Sequence, residues 1–309
     1  MKKDILRAPF IWFGGKGSMI KKLMNHVPLG GKPYCEPFAG AATLFFARPP
    51  APVEVLNDID GDIVNLFKCL QDKNTFNELS HKLRYTLYSR QEFREAIEII
   101  NSNTEDKIKR AWAFFVMLNQ GMSGIKANHI GSWSRCFTSA GGMARNINKW
   151  LMRLSMLEDW HKRLLMTQID NKDALEVIKY WDSEETVFYI DPPYIHDTRK
   201  SKYIYCQELD NGYHQNLVKV ILNCKGAVVL SGYEHDIYQP LVDAGWDCTK
   251  YHTVCHAAGK IRGSKLQGEN SAKQHVPRIE CVFSNRKAVE LMKMQREKVN
   301  EKYLDLICL

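Results

Sequence analysis

Residues 185–194 read Glu-Thr-Val-Phe-Tyr-Ile-Asp-Pro-Pro-Tyr, and no other stretch constrains the fold as much. From Thr186 to Ile190 every side chain is β-branched or aromatic, the composition of a buried strand. Pro192 and Pro193 then end it, because neither has an N–H for a sheet ladder and each fixes φ. A carboxylate, a rigid turn with free carbonyls and an aromatic ring are thus delivered together at a strand tip. In open α/β folds the carboxyl ends of the strands are where ligands bind. Such a turn suits an exocyclic amine: Asp191 and a proline carbonyl accept its two hydrogens while Tyr194 stacks on the ring. Four residues alone leave a simpler reading open, a strand-ending turn with a solvated aspartate, and the rest of the chain has to decide.

The 309 residues suffice for one large α/β domain plus a smaller one. A net charge of +8 fits a polyanionic partner without demanding one. The nine cysteines include no Cys-x-x-Cys pair, which argues against a disulfide framework and a zinc ribbon and for reduced thiols in a cytoplasmic protein. His252, Cys255, His256 and His275 lack the spacing of a tight ligand pair, so no metal is expected. There is no apolar signal core and no run of roughly 18 apolar residues, so no membrane span is expected either.

Taken in order, Pro9 to Gly17 form a glycine-rich turn, with Ser18 as N-cap of a helix from about Met19 to His26. This is not a P-loop: Phe10 stands where the first glycine belongs, and Gly17 follows Lys16. A short strand at Tyr34–Cys35 leads through the small-residue turn Glu36-Pro37-Phe38-Ala39-Gly40-Ala41-Ala42 into a helix, a pattern that lets a backbone approach a ligand closely. Val53–Leu56 is a second strand. The acidic residue beyond its end, Asp58, suits ribose hydroxyls or an N-cap of the helix Asp62–Leu70. Helical segments then take over from Gln71: Phe76–Tyr88, Gln91–Ile100, Glu105–Leu118 and Asn146–Leu165. Between them a loop from Asn119 to Gly142 interleaves basic and aromatic residues; Lys126, Trp133, Arg135 and the nearby Arg145 are candidate nucleic-acid contacts. Strands resume at Leu165–Ile169, Thr186–Ile190, Ala227–Leu230, Trp246–Tyr251 and Arg278–Phe283. Arg199 lies in a polar stretch after Tyr194. Lys260, Arg262, Lys265 and Lys273 lie in a long basic loop, residues 252–277, whose expected role is contact with phosphates.

These pieces resemble the alpha-type (D12 class, Dam-like) DNA adenine-N6 methyltransferases. The resemblance rests on Trp12-Phe13-Gly14-Gly15-Lys16, Glu36-Pro37-Phe38-Ala39-Gly40, Asn57-Asp58-Ile59-Asp60, Asp191-Pro192-Pro193-Tyr194 and Leu230-Ser231-Gly232-Tyr233, in the family's order. It implies an α/β fold: a seven-stranded, Rossmann-like, S-adenosylmethionine-dependent methyltransferase sheet with an inserted, mostly helical target-recognition subdomain. The catalytic domain would take residues 1–70 and 166–285, the insertion 71–165, and a helical tail 286–309. The implied reaction moves a methyl group from S-adenosyl-L-methionine to N6 of an adenine extruded from double-stranded DNA. Asp191, Pro192, Pro193 and Tyr194 are the implied catalytic residues. Trp12, Lys16, Phe38, Gly40, Asp58, Asp173 and Asp191 are the implied cofactor contacts. Two departures stand out. Ala42 replaces a family glycine, and Asn119–Ile125 only faintly echoes the family's insertion text, so a GATC target does not follow. The expected assembly is a monomer or weak dimer. Other readings are an RNA or nucleobase amino-methyltransferase on the same fold, or an inactive DNA-binding module.

Overall fold

The computed structural model describes residues 5–12, 14–30, 32–102, 104–122, 133–195, 209–254 and 277–307. Seven strands form one sheet. They are β1 (Tyr34–Glu36), β2 (Glu54–Asn57), β5 (Thr167–Asp170), β6 (Val187–Ile190), β7 (Ala227–Tyr233), β8 (Asp247–Val254) and β9 (Pro277–Ser284), in spatial order β5-β2-β1-β6-β7-β9-β8. The first five run parallel, while β9 is antiparallel to both β7 and β8. The chain leaves β1 for β2 on one side and pairs with β6 on the other, so the topological switch point lies between β1 and β6. That is where such a sheet opens a crevice.

Alternation along the strands builds two cores. Tyr34, Leu56, Val187, Tyr189 and Val229 face one, while Cys35, Val55, Phe188, Ile190, Val228 and Leu230 face the other. This is the period of two expected of strands covered on both faces. The second core is closed by α9 (Ala174–Trp181), α10 (Asn211–Leu222) and α11 (Gln239–Asp243). The first takes α2 (Thr43–Ala47), α3 (Gly61–Gln71) and the helical stretch α4 (Lys73–Arg84), α5 (Arg90–Asn101), α6 (Lys107–Gln120), α7 (Arg145–Leu154) and α8 (Leu157–Leu164). In α6 the whole run Ala111–Leu118 is buried, as a helix apolar on all sides must be. The helical stretch is thereby continuous with the sheet's core. Arg163 forks onto the buried Glu54 of β2, with Nη2 at 2.7 Å from Oε1, and Trp160 donates its indole N–H to the Arg7 carbonyl at 2.6 Å.

Local structure departs from the sequence reading in several places, among them β8, which runs to Val254 where a loop was expected from residue 252. Helix α1 is only Ile20–Leu23, and Met19, not Ser18, precedes it, without a side-chain cap. The helix expected over Asn146–Leu165 breaks at Ser155-Met156, where the Ser155 hydroxyl turns back onto the Met152 carbonyl at 2.8 Å. Asp60, not Asp58, caps α3, accepting from the Asp62 N–H. The segment read as loop contains a hairpin, β3 (Ser139–Ala140) with β4 (Met143–Ala144). Gly141 and Gly142 turn it at φ +60° and +75°, the paired left-handed residues that a two-residue hairpin requires. The C-terminal α12 (Arg286–Ile307) anchors near Leu29 through Gln295.

Candidate active site

The switch point carries a cleft walled by four segments: the turn Trp12–Lys16, the β1–α2 turn, the end of β2 and the Asp-Pro-Pro-Tyr turn after β6. The first turn closes by a hydrogen bond from the Gly15 N–H to the Trp12 carbonyl at 3.1 Å, with Gly14 at φ +78°. It lays the Trp12 ring over the β1–α2 turn, where a Cβ on Gly40 would come within 3.1 Å of the indole. Gly40 at φ +50° therefore permits both the turn and the contact. Ala42 also adopts the left-handed region, φ 50° and ψ 43°, as N-cap of α2. The family glycine that this alanine replaces is thus one the backbone geometry favours, and the chain keeps the conformation with a methyl group.

At the end of β2, Asp58 accepts the Gly40 N–H at 2.7 Å and the Asp60 N–H at 2.9 Å. These bonds fix a carboxylate at the cleft wall beside the exposed Ile59. Deeper in, Glu36 is buried and accepts the Tyr34 hydroxyl at 2.6 Å. Burial pushes its carboxyl up to about 8, with the Tyr34 hydrogen bond and Arg48 acting the other way.

Lys16 forms the centre of the site. Its side chain is buried and its Nζ lies 2.6 Å from Asp191 Oδ1, 2.7 Å from the Tyr194 hydroxyl and 3.3 Å from Glu280 Oε1. Burial opposes the ammonium charge, yet Asp191 and Glu280 outweigh it and hold Lys16 well above the usual lysine range. Asp191 Oδ1 also accepts the Ser231 hydroxyl at 3.1 Å, and Tyr189 shares that hydroxyl at 3.0 Å. Oδ1 is therefore saturated, while Oδ2 has no donor among the described residues. The Tyr194 ring stacks on Tyr233, with centroids 4.0 Å apart and planes 12° off parallel, and its hydroxyl donates to Glu280 Oε2 at 3.1 Å.

Of the residues singled out from sequence, Trp12, Lys16, Phe38, Gly40, Asp58, Asp191, Pro192, Pro193 and Tyr194 all line this cleft. Asp173 does not. It caps α9 through the Leu175 N–H and accepts the Tyr213 hydroxyl at 2.9 Å, so its carboxylate is committed away from the cleft wall. Trp133, a candidate nucleic-acid contact by sequence, is placed against the helical stretch. It is half-buried, packs on Tyr88 with centroids 5.5 Å apart, and lies under the Arg90 guanidinium. Arg135 and Arg145 are exposed. The neighbouring Phe137, passed over in the sequence, is 91% exposed, with the Arg135 guanidinium 5.5 Å from its ring centre. Its place next to Arg135 in a polar loop was the available signal. Lys126, Arg199, Lys260, Arg262, Lys265 and Lys273 lie outside the described residues, as do Cys255, His256 and His275. Ser231 and Glu280 were not singled out as site residues; Ser231 stood within a quoted motif, whereas Glu280 carried no local signal.

A mostly parallel seven-stranded sheet with carboxylates at the ends of β1, β2 and β6 has the architecture of the Rossmann-like methyltransferase fold. Comparison with known proteins narrows the class. The family model for D12 class N6 adenine-specific DNA methyltransferases matches residues 12–246, and the chain belongs to that family. It is also similar to the DNA N-6-adenine-methyltransferase of Escherichia phage P1, 25% identical over 130 residues. That alignment covers 41% of this chain and 17% of the phage protein, so the chain spans a minor part of its relative's length. The family implies a methyl donor. Among the described residues no group of three or more His, Cys, Asp or Glu could hold a metal ion, and no helix is long and apolar enough to cross a membrane.

Proposed function

We propose that this protein transfers a methyl group from S-adenosylmethionine to N6 of an adenine extruded from duplex DNA. The observation that carries the reading is the half-satisfied Asp191 carboxylate: Oδ1 is fixed by Lys16 and Ser231, and Oδ2 is left for an incoming amine at the cleft's edge.

The cleft fits the methyl donor on its own chemistry. Gly40 lets the Trp12 indole close over the β1–α2 turn at the cleft, and Asp58 offers a fixed carboxylate to a ribose. Asp58, Asp60 and Asp191 line the walls with Lys16 as the one lysine or arginine among the lining residues, an acidic setting for a sulfonium cation even with Glu36 holding its proton. Trp12, Phe38, Gly40 and Asp58 would hold the cofactor, which supplies an electrophilic methyl carbon when bound.

An adenine inside a duplex hides its N6 in a base pair, so the base must leave the stack at a cost of a few kcal/mol. N6 is a weak nucleophile because its lone pair is delocalised into the ring. Asp191 Oδ2 and the Pro192 carbonyl accept its two hydrogens, which favours a pyramidal nitrogen with a usable lone pair. As the N–C bond forms, the methyl carbon's bond to sulfur would break and leave a neutral thioether, while N6, now cationic, sheds one proton to Asp191. Asp191 need not be a strong base beforehand; positioning and electrostatics supply most of the acceleration. The Tyr194 ring, buried against Tyr233 with the Lys16 ammonium 4.5 Å from its centre, lines the cleft and would meet the base there. Exposed Phe137 and Arg135 supply a wedge and a base-edge donor on the helical side, and Lys260, Arg262, Lys265 and Lys273 supply phosphate contacts. The protein would act on DNA in the cytoplasm.

An RNA or free-nucleobase amino-methyltransferase shares the amine-binding turn, and an inactive DNA-binding module shares the fold. Incubation with methyl-labelled S-adenosylmethionine and duplex DNA, RNA or adenosine separates them. The proposed function requires label in duplex DNA. Label in RNA or adenosine alone, or none at all with DNA still bound, would replace it.

A further inference from the structure

Glu280 sits on β9, beyond the residues that the family comparison matches, and its side chain is buried. Register places it between Tyr233 of β7 and Tyr251 of β8, so the antiparallel part of the sheet carries it to the catalytic turn. The hydrogen-bond roles in the cluster are forced. An ammonium only donates and a carboxylate only accepts. The Tyr194 hydroxyl, 2.7 Å from Lys16 and 3.1 Å from Glu280 Oε2, must therefore accept from the first and donate to the second. That polarity fixes the hydroxyl rotor and, with Tyr233 stacked on it, the plane of the ring. Lys16 is meanwhile shared between Asp191 at 2.6 Å and Glu280 at 3.3 Å.

We propose that Glu280 is a positioning residue for methyl transfer: through the Tyr194 hydroxyl and the Lys16 ammonium it sets the ring on which the base stacks and the orientation of Asp191. The inference rests on reading this cleft as the methyl-transfer centre. Glu280 itself touches neither base nor cofactor. Burial pushes its carboxyl above the usual glutamate range, with Lys16 acting the other way and Asp191 adding to it. A carboxylate in such a setting depends on its partners, and they in turn depend on it.

The test is single-turnover methylation of duplex DNA, with the full chain and saturating donor, for wild type, Glu280→Gln, Tyr194→Phe and the double variant. KM for DNA and thermal midpoints are measured alongside. Loss of the negative charge that the Tyr194 hydroxyl and the Lys16 ammonium face predicts that Glu280→Gln slows methyl transfer roughly ten- to a hundredfold at unchanged KM. In the Tyr194→Phe background the same substitution should cost far less, because the hydroxyl that transmits it is gone. Equal factors in both backgrounds, agreeing within about twofold, mean independent action and overturn the proposal. So does a wild-type rate in Glu280→Gln, or a change in KM alone. If Glu280→Gln does not fold, Glu280→Asp keeps the charge and withdraws the carboxylate by one methylene. The proposal then requires a reduced rate at unchanged KM, and an unchanged rate sinks it. A wild-type protein that methylates no DNA would instead contradict the proposed function.

Discussion

Replacing Glu36 by Gln should make the stability of this protein far less dependent on pH. Glu36 ends β1 inside the sheet, where it is 2% exposed, and burial lifts its carboxyl from the ordinary value of 4.5 to about 8. A carboxyl with a folded pKa above its unfolded one binds its proton more tightly when folded. Its stabilising contribution is therefore complete below about pH 4.5 and is lost as pH rises through about 8. At 1.36 kcal/mol per unit the whole swing is on the order of 5 kcal/mol. Glutamine carries no such proton, yet its amide oxygen still accepts the Tyr34 hydroxyl that Glu36 receives at 2.6 Å. Urea unfolding of both proteins from pH 5 to pH 8.5 measures the difference directly. The two should be close near pH 5, and the variant should gain about 1.4 kcal/mol on wild type per pH unit until the gain levels off at about pH 8. A difference that stays constant with pH would refute the assignment of a buried, proton-binding Glu36.

Three further outcomes follow from particular contacts. Ala42→Gly should leave stability within about 1 kcal/mol of wild type, since relief of a left-handed alanine offsets the lost buried methyl and the added chain entropy; a loss near 3 kcal/mol by denaturant unfolding would refute that balance. Arg163→Met strands the buried Glu54 and should cost about 3–5 kcal/mol in the same assay, showing that α8 is clamped to β2; less than about 1 kcal/mol would mean that the clamp is idle. Phe137→Ala and Arg135→Ala should change methylation over a random-sequence DNA library at an unchanged thermal midpoint, whereas Trp133→Ala should lower the midpoint; the reverse pattern would give the DNA contact to Trp133 and take it from Phe137.

The strands were legible because their side chains decide them locally. Thr186–Ile190 reads as a strand and Val187–Ile190 is one, and the turn that follows has to sit at a sheet edge because two prolines forbid anything else. The cleft wall was legible for the same reason: Gly40, Asp58 and Asp191 act close to where their strands end. What stayed hidden depends on distance along the chain. Glu280 meets Tyr194 across 86 residues and Lys16 meets it across 178, and no periodicity records such a meeting. The roles of Asp58 and Asp60 were hard to divide because either carboxylate can cap α3; the backbone turn at Gly40 takes Asp58 and leaves the cap to Asp60. Trp133 looked available in the sequence because a tryptophan in a polar loop gives no sign of its neighbour, and Tyr88 lies on the far side of two helices.

The most direct measurement of the central claim is mass spectrometry of nucleosides from unmethylated duplex DNA incubated with S-adenosylmethionine and either the wild-type protein or Asp191→Asn. The wild type should produce N6-methyladenine, and Asp191→Asn should cut the yield rate by at least about a hundredfold while the protein stays folded. Methylcytosine in place of N6-methyladenine, no methylated base at all, or an undiminished rate in Asp191→Asn would contradict the account.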